Sequence, residues 1–245
     1  SIHVGFGMTT FHGEVHLAWS AIGGRIHRAT LRDSIWADSI VAPQRRGTGP
    51  VAVGIGSDGL AHVIYYDWNE GDLVHAVEDP CGDGSYGSEL PTWTFEQVAP
   101  GRDWPNPPRQ AETTVAVDPF DGSLHVAYAF SNNGCCPDIY YRSNRSGAWG
   151  SELTIEEQGN RYHTTPSLTI GPEGTVHLSF LSADGLKYAR RTGNIWGASS
   201  LIEWAPGFET NQVLVGGDGH PHIIYSTGQQ LRLAAESGDE WDIET

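Results

Sequence analysis

Three arginines stand where they could bind an anion. The 245 residues contain only 14 Lys and Arg, yet Arg46, Arg109 and Arg161 each come shortly before a short stretch that is rich in apolar residues. A planar guanidinium group binds carboxylate, sulfate or phosphate through two parallel hydrogen bonds. The sequence therefore offers a site for an anionic ligand. The alternative is that each arginine pairs with a nearby acid and only ties segments together, the acids being Glu112, Glu156 and Glu209.

Residues suited to acid–base or nucleophilic chemistry occur near these arginines. Tyr162 and His163 follow Arg161 directly and are candidates for a nucleophile and a proton carrier. Two carboxylates can hydrolyse a glycosidic bond, one as an acid and the other as a base or nucleophile. Glu112 and Glu209 are the candidates for that role, so the catalytic hypothesis rests on these four residues.

The predicted ligand-binding set combines charged, aromatic and amide side chains. Aromatic rings can stack on sugar rings, although they can equally cap the apolar ends of strands. The set consists of Arg46, Trp68, Trp104, Arg109, Glu112, Arg161, Tyr162, His163 and Asn211.

An internal repeat indicates which elements position these residues. A Gly, two residues, a His, two residues and an aromatic recur five times in the chain. A three-position match that occurs five times is not explained by chance. Internal repeats of this length indicate a fold built from repeated structural units. The copies are Gly13–Trp19, Gly59–Tyr65, Gly122–Tyr128, Gly174–Phe180 and Gly219–Tyr225.

Each copy lies within a longer unit of four predicted strands. A short apolar strand precedes the Gly, an Asp-Gly turn joins it to the His-bearing strand in most units, and a third strand follows. A Trp then opens a fourth strand, at Trp36, Trp93, Trp149, Trp196 and Trp241. Four antiparallel strands in 40–50 residues are typical of one β-propeller blade.

The sequence therefore predicts an all-β, five-bladed β-propeller in one domain spanning 1–245. The blades cover approximately 1–46, 47–108, 109–159, 160–207 and 208–245. We expect the ring to close by packing of the fifth blade on the first. Loops that enter the first strands share one end of such a fold, so most candidate site residues fall at that end of the central channel. This predicts one composite site at the channel mouth.

The five repeat histidines invite a metal hypothesis, but their predicted position opposes it. They lie on the second strand of each blade, about 5 Å outward from the innermost strand, so they cannot converge on one ion. We expect buried imidazoles that hydrogen-bond a carbonyl or a neighbouring strand. We likewise expect the five tryptophans to pack between blades, with sugar stacking as the alternative.

Two adjacent cysteines indicate a redox feature. Cys135 and Cys136 lie in a loop at the predicted site end, whereas Cys81 belongs to the opposite end and is beyond bridging distance. The leading hypothesis is a vicinal disulfide between Cys135 and Cys136. The alternative is two thiols that act as soft-metal ligands. A disulfide predicts a secreted or periplasmic protein.

The repeat units resemble those of secreted bacterial and archaeal propellers of the sialidase-like, or bacterial-neuraminidase-repeat, type. The segments that carry the resemblance are 162–180, 185–189 and Trp196. The resemblance covers the whole chain and implies architecture alone. The Ser-x-Asp-x-Gly-x-Thr-Trp box of true sialidases is absent in intact form, so sialidase activity is not implied.

Charge excludes one class of partner. The formal net charge of −16 leaves no basic footprint for nucleic acid. No apolar run reaches the length of a membrane span. The sequence shows no basic-plus-apolar leader before Ser1, so we expect either that the chain has none or that it has already been removed. No cofactor is predicted, although the Asp-rich segment 79–83 could hold Ca²⁺ through oxygen ligands.

Three functions compete. The favoured one is a secreted propeller that binds an anionic or polyhydroxylated, glycan-like small molecule at one composite site. The first alternative is a glycosidase or polysaccharide lyase that uses Tyr162, His163 and carboxylates of the same face. The second is a structural or interaction propeller. Oligomeric state is left open.

Overall fold

The chain folds entirely into short antiparallel strands. The computed structural model describes residues 5–21, 23–42, 47–67, 69–79, 92–101, 112–130, 137–157, 165–182, 184–204, 208–228, 230–238 and 240–245, with the backbone alone at 47–48 and 208–209. In this part of the chain the strands form five antiparallel sheets, in which neighbouring strands follow chain order. We number these sheets 1–5.

The strands have the following bounds. Sheet 1 contains β1 (Phe6–Phe11), β2 (Glu14–Ser20), β3 (Ile26–Arg32) and β4 (Ile35–Ala42), and sheet 2 contains β5 (Gly47–Ile55), β6 (Ala61–Asp67), β7 (Asp72–Asp79) and β8 (Thr92–Ala99). Sheet 3 contains β9 (Glu112–Val117), β10 (Leu124–Phe130), β11 (Asp138–Ser143) and β12 (Leu153–Glu156). Sheet 4 contains β13 (Ser167–Ile170), β14 (Val176–Ser182), β15 (Gly185–Thr192), β16 (Ile195–Trp196) and β17 (Ser200–Glu203). Sheet 5 contains β18 (Phe208–Val215), β19 (Pro221–Thr227), β20 (Gln230–Ser237) and β21 (Glu240–Glu244).

The prediction of four antiparallel strands per repeat is confirmed, with two local differences. The outer strand of sheet 4 is broken into β16 and β17, which both pair with β15. Trp149 does not open the fourth strand of sheet 3, because turns spanning Asn144–Gly150 delay β12 until Leu153. Among the described residues, no helix is long and apolar enough to cross a membrane.

The chain divides into two compact units, residues 1–117 and 118–245. The single-domain hypothesis stays a prediction. The packing surface between two consecutive sheets of one unit is called a junction. Junction 1–2 belongs to the first unit, and junction 4–5 belongs to the second. Strand β9 of sheet 3 lies in the first unit, so junction 3–4 here means the packing of β10–β12 on sheet 4 within the second unit.

Asp-Gly turns join the first two strands of sheets 2 and 5. Gly59 and Gly219 have φ values of +82° and +81°, a conformation that disfavours side chains with a Cβ. The carboxylates of Asp58 and Asp218 accept the backbone N–H two residues ahead, both at 3.0 Å. Turn chemistry read from the sequence therefore determines these hairpins.

Apolar side chains fill the middle of each junction. Sheet 1 contributes Ala18 and Ile26 to a cluster that includes Val53 and Tyr65 of sheet 2, all 5% exposed or less. In junction 4–5 a second cluster joins Leu186 and Tyr188 to Val213, Ile223 and Tyr225. In β19 burial follows the two-residue alternation of a strand, whereas residues 51–55 of β5 are all buried.

Three of the repeat tryptophans pack at junctions as predicted. Trp93 lies against the core of junction 1–2. Trp196 meets Tyr141 of the preceding sheet edge-on, at 5.0 Å between ring centroids, and Trp241 meets Tyr188 in the same way at 5.1 Å. In contrast, Trp36 of sheet 1 is 50% exposed.

Ion pairs link consecutive sheets of the second unit. Glu156 of sheet 3 binds Lys187 of sheet 4 and accepts a hydrogen bond from Ser199 at 2.6 Å. Glu203 of sheet 4 binds Arg232 of sheet 5 and accepts from Tyr225 at 2.6 Å. The two carboxylates occupy equivalent positions, each opposite the beginning of the third strand of its own sheet. The repeat therefore forms the same ion pair between sheets at two junctions.

A small residue at the end of the first strand makes room for the repeat histidine. A Cβ on Gly171 would lie 2.6 Å from Nε2 of His177, and a Cβ on Gly216 would lie 2.7 Å from Nε2 of His222. Real Cβ atoms do not approach this closely. These two glycines are therefore constrained by packing against the imidazole, a role that the sequence analysis did not anticipate.

We predict that Gly171→Ala destabilises the protein by about 1–3 kcal/mol, because the added methyl group overpacks a buried site. The measurement is urea unfolding. Gly217→Ala is the matched control, since its Cβ would meet nothing within 4 Å and its backbone is not left-handed. Equal stability of the two variants would contradict the packing argument.

Candidate functional site

An open cleft of about 880 Å³ lies in the first unit between sheets 1 and 2. Strand pairing explains why polar residues line it. His16 of β2 stands opposite Thr30 of β3, so Arg28 and Arg32 project from the same face, together with Glu14. Sheet 2 supplies Glu78 from β7. Phe11 and Ile35 add apolar surface.

The floor of the cleft is a buried guanidinium held between a carboxylate and an imidazole. Arg28 is 9% exposed, its Nη1 donates to Oε1 of Glu78 at 2.9 Å, and its Nη2 donates to Nδ1 of His16 at 3.3 Å. Among the described residues, Nε of Arg28 and Nε2 of His16 have no hydrogen-bond partner. Both atoms are buried below the accessible surface, so they are not themselves exposed to the cleft.

A second arginine–carboxylate pair lies at the edge of the cleft. The guanidinium of Arg32 binds both carboxylate oxygens of Glu14, with Nη2 and Oε2 at 3.1 Å. This hydrogen bond lowers the pKa of Glu14. Burial, and then the nearby charge of Arg28, lower the pKa of His16. The imidazole is thereby kept neutral, with one nitrogen able to donate and the other to accept.

Comparison of the repeats sets Arg28 apart. In each sheet, one residue of the third strand lies directly opposite the repeat histidine. We call the third-strand residue two positions earlier in the chain the partner position. It holds Arg28, His75, Tyr141, Tyr188 and Leu233 in sheets 1–5. In sheets 1–4 its side chain contacts Nδ1 of the repeat histidine, at 3.3, 3.0, 2.5 and 2.6 Å. Sheet 1 thus has a cation where sheets 3 and 4 have an aromatic ring.

The repeat histidines of sheets 3 and 4 act as structural side chains of their own blades, whereas those of sheets 2 and 5, His62 and His222, are only half-buried, contrary to the expectation of five buried imidazoles. His125 and His177 are 0% and 3% exposed, and both bond a tyrosine hydroxyl on the neighbouring strand, as expected from the sequence. Burial lowers the pKa of each to about 4, assisted by Arg191 near His125 and by Arg190 near His177. The described residues contain no group of three or more His, Cys, Asp or Glu placed to hold a metal ion.

We predict that stability falls as the pH drops from about 6.5 to about 4. The unfolded chain binds protons on His125 and His177 in this range while the folded chain does not, so acid favours unfolding. A depression of this size corresponds to about 3 kcal/mol for each histidine. Urea unfolding at pH 7 and pH 4.5 measures the loss, and His177→Gln should reduce it. An unchanged pH dependence in that variant would contradict the assignment.

Most of the site predicted at the channel mouth lies outside the described residues. This applies to Arg46, Trp68, Trp104, Arg109, Arg161, Tyr162 and His163, and also to Cys81, Cys135, Cys136 and the segment 80–83. For Glu209 only the backbone is described, as part of β18. The composite site, the vicinal disulfide and the calcium hypothesis therefore stay predictions.

Asn211 is described, and its amide group ties two sheets. It is 8% exposed, its Nδ2 donates to the carbonyl and hydroxyl oxygens of Thr165 at 2.6 and 2.7 Å, and its Oδ1 accepts from Ser179. Both amide hydrogens are used within the protein. A ligand would have to compete with these bonds, so packing explains Asn211 without one.

Glu112 is the described carboxyl with the most unusual acidity. It begins β9, is half-buried, and burial raises its pKa from 4.5 to about 7. A carboxyl that keeps its proton near neutrality can donate it, which is the property required of a general acid. The catalytic hypothesis for Glu112 therefore keeps a physical basis.

We predict that Glu112→Gln stabilises the protein at pH 8 by about 2–3 kcal/mol and has little effect at pH 4. The raised pKa means that folding favours the protonated acid, so this contribution is lost as the pH rises through 7. Glu14→Gln is the control, because the pKa of Glu14 is lowered and its removal should not stabilise at pH 8. Thermal unfolding at both pH values measures the difference, and destabilisation by Glu112→Gln at pH 8 would contradict it.

Sequence reasoning missed the cleft residues Glu14, His16, Arg28 and Glu78 as a group. A signal was present: the partner position carries an aromatic or imidazole ring in sheets 2, 3 and 4 but an arginine in sheet 1. Arg28 and Glu78 are 50 residues apart. The contact between these two side chains can be identified only when the packing of sheet 1 on sheet 2 is known.

No protein-family model matches the chain, and no curated protein matches it. Several solved structures do. The lectin of Aleuria aurantia, in a mutant form with Fucα1-6GlcNAc, has a TM-score of 0.68 at 16% identity, over 98% of this chain and 76% of the lectin. SapL1 lectin with α-methyl fucoside has a TM-score of 0.65 at 12% identity, over 100% and 80% of the two chains. The polysaccharide lyase Uly1 has a TM-score of 0.59 at 12% identity, over 100% and 73%.

These similarities establish the fold. An Aleuria aurantia lectin structure is described as a six-bladed β-propeller. The described part of the present chain has five antiparallel sheets of four strands each, the fourth strand of sheet 4 being broken into β16 and β17. The fold is therefore a five-bladed β-propeller, and the predicted fold class is confirmed.

Proposed function

We propose that the protein binds a carbohydrate, without transforming it, in the cleft between sheets 1 and 2. The observation that carries this proposal is the charged and polar set of Arg28, Glu78 and His16 among the residues that line an open cleft. A sugar hydroxyl both donates and accepts hydrogen bonds. It can donate to Glu78 while it accepts from Arg28, and bonds to charged partners are the stronger kind.

The charges that line the cleft favour a neutral sugar. Both arginines are already paired, and His16 is held neutral. An anionic sugar would displace a carboxylate from its guanidinium and meet the remaining acids. The lining contains the arginines 28 and 32 and the carboxylates Glu14, Asp33, Asp38 and Glu78. Of the two ligand classes predicted from the sequence, this cleft suits the polyhydroxylated one.

The similar structures support a carbohydrate ligand. Two of them are lectins solved with fucosides, and a third is a polysaccharide lyase. Methyl α-L-fucoside is therefore the first probe, because it is neutral and its methyl group suits the apolar rim of Phe11 and Ile35. We further propose that the protein is secreted or periplasmic, where glycans of other cells are met, and that its repeats are of the sialidase-like type.

We predict that Arg28→Met and Glu78→Gln each weaken binding of methyl α-L-fucoside at least tenfold, since each removes one charged hydrogen-bonding partner worth about 1.5–3 kcal/mol. Titration calorimetry measures the affinity. Arg145→Met is the control, because it removes a partly exposed ion pair with Asp121 outside the cleft. A glycan array extends the search to other neutral sugars. Unchanged affinity in both cleft variants would place the site elsewhere.

A second candidate function rests on Glu112. Its raised pKa provides a proton donor for a glycosidase or polysaccharide lyase whose other groups would be Tyr162, His163, Arg109 and Arg161. Assays for reducing ends and unsaturated products on uronate-containing polysaccharides test it. Turnover that is lost in Glu112→Gln and Arg161→Ala but kept in Arg28→Met would favour this enzyme over the binding protein.

A further inference from the structure

Junction 4–5 contains the same chemical set as the cleft, but a tyrosine fills it. Arg190 binds both carboxylate oxygens of Glu236, and His177 is the repeat histidine beside them. The hydroxyl of Tyr188 donates to Nδ1 of His177 at 2.6 Å and accepts from Nε of Arg190 at 3.1 Å. The tyrosine hydroxyl thus makes the two contacts that a sugar hydroxyl could make there.

Junction 3–4 is filled in a related way. The hydroxyl of Tyr141 lies 2.5 Å from Nδ1 of His125, and the guanidinium of Arg191 stands over the tyrosine ring at 5.4 Å. Trp196 of sheet 4 covers the ring edge. Tyr141 and Tyr188 are 1% and 5% exposed, so each phenol ring is part of the protein interior.

We propose that the partner position decides whether a junction binds sugar: tyrosine occupies the junction from within, and arginine leaves it open. Arg28 extends across junction 1–2 to Glu78, which leaves space above the floor, whereas a phenol ring packs against the tryptophan of the next sheet. The partner position is therefore the specificity-determining position of the repeat. This inference rests on the proposed carbohydrate-binding function of junction 1–2.

The decisive test adds a site. The Arg28→Met substitution removes sugar binding by the cleft of junction 1–2. Adding Tyr188→Ala to it removes the phenol ring from junction 4–5 but keeps Arg190, Glu236 and His177. We expect this double variant to bind one equivalent of methyl α-L-fucoside by titration calorimetry. The matched control is Arg28→Met with Tyr188→Phe, which keeps the ring and should bind none. A folded Tyr188→Ala double variant without binding overturns the inference.

A second variant covers the case in which Tyr188→Ala does not fold. Arg28→Tyr adds a ring to junction 1–2, and we expect it to abolish the rise in Tm that methyl α-L-fucoside produces in the parent protein. Retained protection overturns the inference. The proposed function fails separately, when the parent protein itself binds neither methyl α-L-fucoside nor any sugar on a glycan array.

Discussion

One buried imidazole organises most of the described blades. The repeat histidine contacts the partner position on the third strand, which fixes the register of the second and third strands from inside the sheet. On its other side, in sheets 4 and 5, it presses against Gly171 or Gly216, where the first strand ends. Three strands thus meet at one ring. The ring must be neutral to be buried there, and its lowered pKa shows the energetic cost of charging it.

The same ring determines what a blade presents to the next one. The side chain that contacts the imidazole also faces the following sheet, where it meets a tryptophan edge in junctions 3–4 and 4–5. Aromatic edge-to-face contacts close this end of the two junctions, where Tyr141 and Tyr188 are buried. In junction 1–2 the arginine cannot pack in this way, and it pairs with Glu78 instead. A single change of residue type therefore converts a packing contact into a polar cleft.

Much of the fold could be predicted from the sequence because it depends on local rules. The Gly-x-x-His-x-x-aromatic period, the Asp-Gly turns and the alternation of apolar residues are each set within a few residues, and they define five four-stranded sheets. The tryptophans at 196 and 241 could be assigned to packing for the same reason.

The candidate site was less predictable because it depends on contacts between distant segments. The pairing of Arg28 with Glu78 requires two sheets to be in place, because the two residues are 50 positions apart in the chain. Asn211 shows a second reason: its amide, predicted to face a ligand, is engaged by Thr165 and Ser179, which local sequence does not reveal. Sequence position indicates which end of a blade a residue occupies, whereas hydrogen-bond partners decide whether it is available.

The division of each junction between two repeats has an evolutionary consequence. A blade supplies the histidine and the residue at the partner position to the junction that follows it. To the junction that precedes it, the blade supplies a tryptophan and a charged residue of the third strand. Trp196 and Arg191 of sheet 4 contact Tyr141 of sheet 3 in this way. Tandem duplication of one repeat would therefore add a single new junction, in which both halves come from the same repeat, and would not reproduce a complete site. New binding clefts in such a chain arise more directly by point substitution at an existing junction than by the gain of a blade.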